Sequence, residues 1–248
     1  MENNMIPLSQ NDVFTFSCSM KVPCFNECCR DLNQFLTPYD ILRLKNRLGL
    51  SSSLFLDRYT SQQTGPETGL PIITLKTNDS KSLKCPFVTP SGCSVYEDRP
   101  SSCRTYPLVR LASRSRETGE ITERFMLLKE PHCLGFEQGR TWTIKEWIEN
   151  QKVSCYNEMN DMLLEIISFK NLRLPGSLDL KSRHFFHMAL YDIDTFRLHI
   201  FEKNVLDRWH PNNTDTNTLD TLKNDDVALL KLGHQWIKKI LSDNIEQD

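Results

Sequence analysis

Cysteine is the residue type with the clearest chemical potential in this 248-residue chain. The stretch PCFNECCRDL, residues 23 to 32, carries three thiols, and only Cys155 lies beyond residue 133. Four thiolates usually surround a structural zinc ion or an iron–sulfur cluster, and eight is twice that number. The candidate metal ligands are Cys18, Cys24, Cys28, Cys29, Cys85, Cys93, Cys103 and Cys133.

Spacing determines which of these thiols can share a centre. Closing a short loop costs little entropy, so Cys24 and Cys28, with three residues between them, are within reach of one metal. Cys28 and Cys29 leave adjacent Cα atoms in diverging directions, and both binding one tetrahedral ion would strain the backbone. This vicinal pair therefore suits two adjacent centres, a multi-iron cluster, or one ligand beside a redox thiol.

The remaining candidates lie on predicted turns and strand ends. Cys85, Cys93 and Cys103 occupy the kind of rigid loop on which metal knuckles form, and Cys133 could complete the shell. Cys155 is interpreted as a small, buried apolar residue.

Charged and titratable neighbours bear on the same site. Arg30, Arg99 and Arg104 would offset the charge of several thiolates and depress their pKa. His132, beside Cys133, is either a substitute ligand or a surface imidazole.

Composition restricts the alternatives. The chain is 39% apolar and 25% charged with a net charge of −2, which argues against a nucleic-acid binder that relies on bulk positive charge. No secretory signal and no apolar stretch of about 20 residues is visible, so we expect a cytoplasmic protein without a membrane span, with reduced thiols. Disulfides in an exported protein are the alternative.

The elements around the cysteines predict an α+β fold. Thr37, Pro38 and Asp40 begin a helix that Gly49 ends, and a second helix covers residues 54–59. Residues 60–71 are predicted as a loop and 72–77 as a strand. Two short strands flank the Pro-Ser-Gly turn before Cys93, and residues 108–130 predict a hairpin turning near Gly119.

The second half of the chain is predicted to be helical. Thr143 and Glu146 form a capping box, and helices are expected over 154–171, 179–206 and 219–243. The predicted organisation is an irregular cysteine-rich metal or iron–sulfur domain of short strands and helices over residues 1–150. A helical domain over 151–248 would then provide packing or a partner or substrate surface.

One helical segment, RHFFHMALYDIDTFRLHIFE, concentrates polar groups. It permits two interpretations: a substrate-binding face, or a solvated helix with an apolar core side. The polar candidates are His184, His187, Tyr191, Asp192 and Arg197. The core candidates are Phe185, Leu190, Ile193 and Phe196. The four tryptophans, Trp142, Trp147, Trp209 and Trp236, are interpreted as packing residues.

The order of these motifs resembles a known family. FSC…PCFNECCRDLNQFLTPYDILRLKNRLG followed by CPF…GCSVYEDRPSSCRTYPL is similar to the YkgJ-like cysteine-cluster family of the CxxxCxxCC type, named for zinc or iron chelation. The likeness covers about residues 14 to 150. It implies a metal or iron–sulfur centre in a bacterial cytoplasmic protein. One branch is similar to flagellin lysine N-methylases, which implies an iron–sulfur cysteine domain and S-adenosylmethionine as methyl donor.

The sequence also limits the methylase interpretation. No GxGxxG turn or P-loop is present, so any S-adenosylmethionine pocket would be unconventional. A CxxxCxxC radical motif fails as well, because Asp31 occupies its third position.

Three hypotheses follow. The first is a metal-binding protein with a [4Fe-4S] cluster or zinc that serves redox chemistry or methylation of a protein substrate. The second is a zinc-stabilised interaction module without catalysis. The third is a metal carrier or chelator.

Overall fold

A computed structural model describes residues 4–66, 68–78, 81–137, 139–202 and 216–245, with the backbone alone at 216–219 and 244–245. The strands within these ranges are β1 Met5–Leu8, β2 Val13–Phe16, β3 Phe35–Leu36, β4 Thr60–Thr64, β5 Pro71–Leu75, β6 Val88–Thr89, β7 Gly92–Cys93, β8 Leu108–Arg114, β9 Ile121–Leu128 and β10 Arg140–Thr143. The helices are α1 Pro38–Leu48, α2 Ser52–Tyr59, α3 Ser101–Thr105, α4 Ile144–Asn150, α5 Ser154–Arg173, α6 Leu180–Leu190, α7 Ile193–Glu202, α8 Thr216–Asn224 and α9 Asp226–Ile245. The predicted α+β class with a helical C-terminal half is confirmed.

The chain folds into two compact units, each built from two separate segments. The first unit comprises Met1–Phe35 and Leu75–Asp161, and the second comprises Leu36–Thr74 and Met162–Asp248. Helices α1 and α2 thus belong to the same unit as the C-terminal helices. The assignment of separate functions to residues 1–150 and 151–248 stays a prediction.

Small antiparallel sheets organise the first unit. β9 lies between β1 and β8, and β2 pairs with β10, so that Phe16 faces Arg140 in register. The predicted hairpin over 108–130 is confirmed by β8 and β9, and Gly119 in its turn has a φ of 76°. The short strands β6 and β7 confirm the predicted pair around the Pro-Ser-Gly turn.

Aromatic packing forms the core of the first unit. Phe16 contacts Tyr106, Phe136 and Trp147, with ring centroids 5.7, 5.2 and 5.6 Å away. The Trp147 indole N–H also donates to the Thr105 carbonyl at 2.9 Å. Because Cys133 packs against this same cluster, a rigid aromatic core supports one of the candidate ligands.

Helices dominate the second unit, and local capping signals define where several begin. In α1, Thr37 and Asp40 form the predicted capping box, and Gly49 adopts the left-handed conformation with a φ of 63°. The predicted helix over 54–59 is confirmed by α2. A close approach joins α9 to α6, because a Cβ at Gly233 would lie 2.3 Å from the Ala189 carbonyl oxygen.

A polar network joins α1 and α7 to α9. Lys45 Nζ lies 3.2 Å from Asp194 and 3.0 Å from Asp226, and its side chain is only 6% exposed. Arg197 pairs with the same two carboxylates. The network therefore balances two cations against two partly buried anions.

The second unit also corrects parts of the sequence prediction. The predicted loop 60–71 contains β4, and a third sheet has the strand order β3–β5–β4. The helix predicted over 179–206 is two helices, α6 and α7, and the one over 219–243 is likewise α8 and α9. The part of the first prediction beyond residue 202 and most of the predicted break WHPNNTDTNT, with Trp209, lie outside the described residues.

The interpretation of the polar helical segment can now be resolved in part. Leu190, Ile193 and Phe196 are buried as core residues, while Phe185 is half-buried and Phe186 takes a fully buried place. His184 is exposed, and His187 lies beside Tyr191 with ring centroids 6.1 Å apart. Within the described ranges, no helix combines the length and apolar character needed to cross a membrane.

Candidate metal centre

All eight candidate thiols lie in the first unit, although they span 116 positions of sequence. All nine cysteines lie in the described residues, and none of them forms a disulfide. The fold therefore does not support the alternative of a disulfide framework. Cys18 and Cys103 are exposed, and the other six candidates are partly buried. The fold thus gathers reduced thiols near the surface of a single unit.

Tight turns shape the segment that carries Cys24, Cys28 and Cys29. The amide of Glu27 donates to the Cys24 carbonyl and that of Cys29 to the Asn26 carbonyl, each at 3.0 Å. Asn26 adopts the left-handed conformation with a φ of 72°, and its side-chain amide donates to the Thr89 carbonyl at 2.9 Å. This bond ties the first cysteine segment to the β6–β7 hairpin.

A second set of backbone contacts lies around Cys133. The backbone N–H of Leu134 donates to Sγ of Cys24 at 3.2 Å, and the N–H of Ser17 donates to the Gly135 carbonyl at 2.9 Å. The amide of Gly135 donates in turn to the Cys133 sulfur. Cys18, next to Ser17, is thereby brought beside Cys24 and Cys133.

A third set of backbone contacts joins Cys29 to the segment that leads into the β6–β7 hairpin. The amide of Cys85 donates to the Cys29 carbonyl at 2.8 Å. The Cys85 sulfur accepts from the amides of Phe87 and Val88, and the Cys93 sulfur accepts from the amide two residues later, that of Val95. Amide groups directed at sulfur favour the thiolate form and are a feature that tunes iron–sulfur centres.

The hairpin turn depends on a glycine. Gly92 has a φ of 114°, a conformation that residues with a Cβ rarely adopt, and a Cβ there would lie 3.1 Å from Cζ of Phe25. Cys93 follows directly, so this turn fixes where its thiol lies. Cys103, on α3, donates to Oε1 of Gln34 at 3.5 Å.

The thiols affect one another electrostatically. Partial removal of the Cys18 thiol from water, followed by the charges of Cys28, Cys24 and Cys133, raises its pKa to about 11. Burial likewise raises the pKa of Cys85, Cys93 and Cys133, with other thiols adding to the effect at Cys85 and Cys133. Ionising the whole group would thus place like charges together, which a bound cation would offset.

The vicinal pair behaves differently. Their side chains hydrogen-bond to each other, which lowers the pKa of Cys28 to about 7 and raises that of Cys29. The charges of Cys28, Cys85 and Cys103 raise the pKa of Cys29 further. The sequence argument expected the two side chains to diverge, whereas the fold keeps them in contact.

Of the three arginines expected near the thiolates, Arg99 acts as expected. It is buried, donates to the Tyr96 carbonyl at 2.6 Å, and interacts electrostatically with Cys93 and Cys103. Arg104 is also buried and donates to the backbone carbonyls of Glu97 and Gln151. Arg30 is half exposed and pairs with Glu27 at 3.6 Å.

Two further expectations have clear outcomes. His132 is exposed and lies 3.7 Å from Glu130, which favours the surface imidazole over the substitute ligand. Cys155 was expected to be buried, and this is wrong: it is exposed, and its thiol points to the Lys152 carbonyl at 3.7 Å. Cys155 is the second residue of α5, and its side chain lies on the side of that helix that faces solvent.

One contributor was not anticipated from the sequence. The buried hydroxyl of Tyr106 has no hydrogen-bond partner among the described residues, and burial, followed by the neighbouring Cys133 and Glu130, raises its pKa. The motif CRTYPL contains this tyrosine, but no local signal connects it to a thiol 27 positions later.

The separations of the thiols complete the geometry. Within the described part of the chain, no three histidine, cysteine or acidic side chains already lie where they could hold one ion. The backbone brings the thiols into neighbouring positions, and rotation of their side chains would be needed to bring several sulfurs onto one centre.

Comparison with known proteins gives one match. Residues 17–134, just under half of the chain, match the family model CxxCxxCC, described as "Putative zinc- or iron-chelating domain". No curated protein and no solved structure shows significant similarity to the chain. The match spans all eight gathered thiols and confirms the resemblance found in the cysteine pattern. Residues 17–134 of this protein are therefore similar to the putative zinc- or iron-chelating CxxCxxCC domain.

Proposed function

We propose that the first unit holds a resident metal centre on its gathered thiolates, and that this centre contains iron–sulfur. The observation that carries the proposal is the convergence in one unit of eight reduced thiols, with the Cys24 sulfur accepting the backbone N–H of Leu134 at 3.2 Å. The proposed ligands are drawn from Cys18, Cys24, Cys28, Cys29, Cys85, Cys93, Cys103 and Cys133.

The donor set fits such a centre. All eight donors are sulfur, and soft thiolates favour zinc and iron–sulfur over hard cations such as magnesium or calcium. Thiols that raise one another's pKa need a compensating positive charge to ionise together, which a metal supplies. The buried Arg99 adds a fixed positive charge beside Cys93 and Cys103.

An iron–sulfur centre would supply one-electron redox chemistry. The chain's own groups would set its properties: the amides of Leu134, Val88 and Val95 by hydrogen bonds to sulfur, and Arg99 by its charge. Exposed Cys18 and Cys103 leave the site open to a small reductant or a protein partner. Methylation of a protein would further require S-adenosylmethionine as the methyl donor. Isothermal titration calorimetry would detect its binding.

Anaerobic purification tests the proposal. We expect coloured protein with iron and acid-labile sulfide. Colourless protein with tightly held zinc would support the structural-zinc alternative, and weakly held metal that a mild chelator removes would support a carrier. Protein without any of these metals would overturn the proposal.

Hydrogen exchange after chelation localises the effect. Metal loss should increase exchange in Met1–Phe35 and Leu75–Asp161, because thiolate repulsion is then no longer compensated. The second unit has its own core, including Leu44, Phe196 and Leu229, and should keep its protection. Equal changes in both units would contradict a centre confined to the first.

A second candidate function is a zinc-stabilised interaction module. Its specific support is the exposure of large apolar side chains on helices of the second unit: Leu180 is 82% exposed, Leu198 58% and Leu172 53%. A contiguous exposed apolar patch marks a contact with a protein partner, and this function requires these side chains to form such a patch. If this function is right, Leu180→Ser with Leu198→Ser should abolish partner capture while zinc content stays unchanged.

A further inference from the structure

We propose that two side-chain amides, those of Asn26 and Gln34, are positioning residues for the thiol site. Both lie on the stretch of chain between Cys18 and β3, and each reaches a different cysteine-bearing element of the first unit. Asn26 binds the β6–β7 hairpin, which ends in Cys93, and Gln34 binds α3, which carries Cys103. The inference rests on the proposed metal-binding function and names side chains that hold its donors together.

Asn26 holds the first cysteine segment against the β6–β7 hairpin. It lies between two of the candidate ligands, and its side-chain amide donates to the Thr89 carbonyl at 2.9 Å across 63 positions of sequence. Thr89 is the last residue of β6 and directly follows Val88, which pairs with Cys93. One hydrogen bond therefore fixes the distance between the first cysteine segment and the strand pair that carries the Cys93 thiol.

The backbone at Asn26 explains why this residue type occupies the position. Its φ of 72° is left-handed, a conformation that glycine, asparagine and aspartate adopt most readily. Of these three residue types, only asparagine carries a side-chain N–H that can donate to a carbonyl. Asparagine therefore satisfies both the turn and the bond to the hairpin.

Gln34 makes the corresponding connection to α3. The residue is only 9% exposed, and its side-chain N–H groups donate to Oγ of Ser102 at 2.6 Å and to the Phe35 carbonyl at 2.9 Å. Oε1 of the same amide accepts from the Cys103 thiol at 3.5 Å, across 69 positions of sequence. Both ends of this buried amide thus contact α3, and one of them contacts a candidate ligand directly.

Hydrogen exchange tests each amide separately in the full chain, purified and then freed of metal by a chelator under reducing conditions. Asn26→Gly and Asn26→Asp both remove the bond to Thr89. Each should raise exchange about 2- to 10-fold in the β6–β7 hairpin relative to metal-free wild type, because one hydrogen bond makes a modest net contribution to stability. Helix α3 should exchange as in the wild type. Gln34→Leu should give the reverse pattern, with faster exchange in α3 and an unchanged hairpin.

Asp31→Gly is the matched control for the Asn26 variants. Asp31 lies on the same stretch of chain, has a φ of 54° and an exposed side chain, and donates its backbone N–H to the Leu83 carbonyl, a bond that glycine would keep. This control should leave both elements unchanged. An effect of Asn26→Gly without an effect of Asn26→Asp would assign the result to backbone freedom and overturn the inference. Equal increases in the hairpin and α3 from any one variant would also overturn it.

A second variant at α3 applies if Gln34→Leu does not fold. Ser102→Ala removes the same hydrogen bond from its exposed partner, so the core around Gln34 keeps its packing. It should raise exchange in α3 alone. Unchanged exchange in α3 would contradict the role of Gln34.

Metal retention connects the two amides to the proposed function. With zinc as the probe metal and a chelator as competitor, Asn26→Asp and Gln34→Leu should hold zinc about 10-fold less tightly than wild type, as expected for groups that orient metal ligands. Asp31→Gly should match wild type, and wild-type retention in both amide variants would overturn the positioning role. A wild type that holds no metal would overturn the proposed function itself, while hydrogen exchange of the metal-free protein would still decide whether the amides position the cysteine elements.

Discussion

The backbone N–H of Leu134 donates a 3.2 Å hydrogen bond to Sγ of Cys24, although 110 positions separate these residues in the chain. The bond joins the first cysteine segment to the last candidate ligand, Cys133. A hydrogen bond from an amide N–H restricts where the Cys24 sulfur can lie. The fold therefore holds the Cys24 sulfur in place without help from a bound metal.

Replacement of Cys24 tests this preparation. Cys24→Ser should lose at least one metal centre and destabilise the first unit, because thiolate sites supply roughly 10 to 16 kcal/mol against a domain stability of about 5 to 15 kcal/mol. Metal analysis and thermal unfolding measure the two effects. Cys155→Ser, at an exposed thiol, should be nearly silent, and equal metal content in the two variants would contradict the ligand role of Cys24.

Arg99 should influence metal affinity without binding metal. Arg99→Gln removes a buried positive charge beside Cys93 and Cys103, and we expect about 10- to 100-fold weaker metal retention in competition with a chelator. Circular dichroism checks that the variant is folded, since Arg99 also contacts the Tyr96 carbonyl. Arg30→Gln is the control for a half-exposed arginine and should retain metal as the wild type does.

Gly92 should couple backbone conformation to the metal site. Gly92→Ala forces a Cβ into a φ of 114°, at a cost of about 1 to 3 kcal/mol, and displaces the turn that carries Cys93. Both unfolding free energy and metal content should fall. Gly49→Ala has a related backbone cost of about 1 kcal/mol but lies at the end of α1 in open space, so only its stability should change. Identical metal loss in both variants would contradict a local effect.

Local signals explain how much of this fold the sequence predicts. The capping boxes at Thr37 and Thr143 are complete within four residues, and both form as expected. The reduced state of the cysteines and their family follow from residue type and order. Such features need no knowledge of distant contacts.

Long-range contacts explain what the sequence does not predict. The apolar pattern of α6 continues into α7, but the chain breaks at Asp192, whose carboxylate accepts bonds from Ser52 and Ser53 of α2 at 2.6 and 2.8 Å. The strands β1 and β2 pair with partners more than 100 residues away. The role of Tyr106 and the exposure of Cys155 also depend on tertiary packing.

Lys45 should be important for the stability of the second unit. Lys45→Met removes a cation whose side chain is 6% exposed, leaving Arg197 to balance Asp194 and Asp226. We expect a loss of about 3 kcal/mol in unfolding free energy, measured by urea denaturation. Lys239→Met breaks an exposed pair with Asp243 and should cost less than about 0.5 kcal/mol. Similar losses in both variants would show that burial of Lys45 is unimportant.

Asp226 should make the second unit sensitive to acid. Burial disfavours its charged form, but hydrogen bonds from Asn46, Arg197 and Lys45 outweigh this effect and lower the pKa of Asp226. Because the folded pKa lies below the unfolded value, the stabilisation is present above about pH 4 and is lost as the pH falls through the folded pKa. Urea denaturation between pH 7 and pH 3 should therefore show Asp226→Asn well below the wild type at neutral pH, with the two curves converging in acid. Asp243→Asn controls for loss of an exposed aspartate, and a constant gap between Asp226→Asn and wild type at every pH would contradict the assignment.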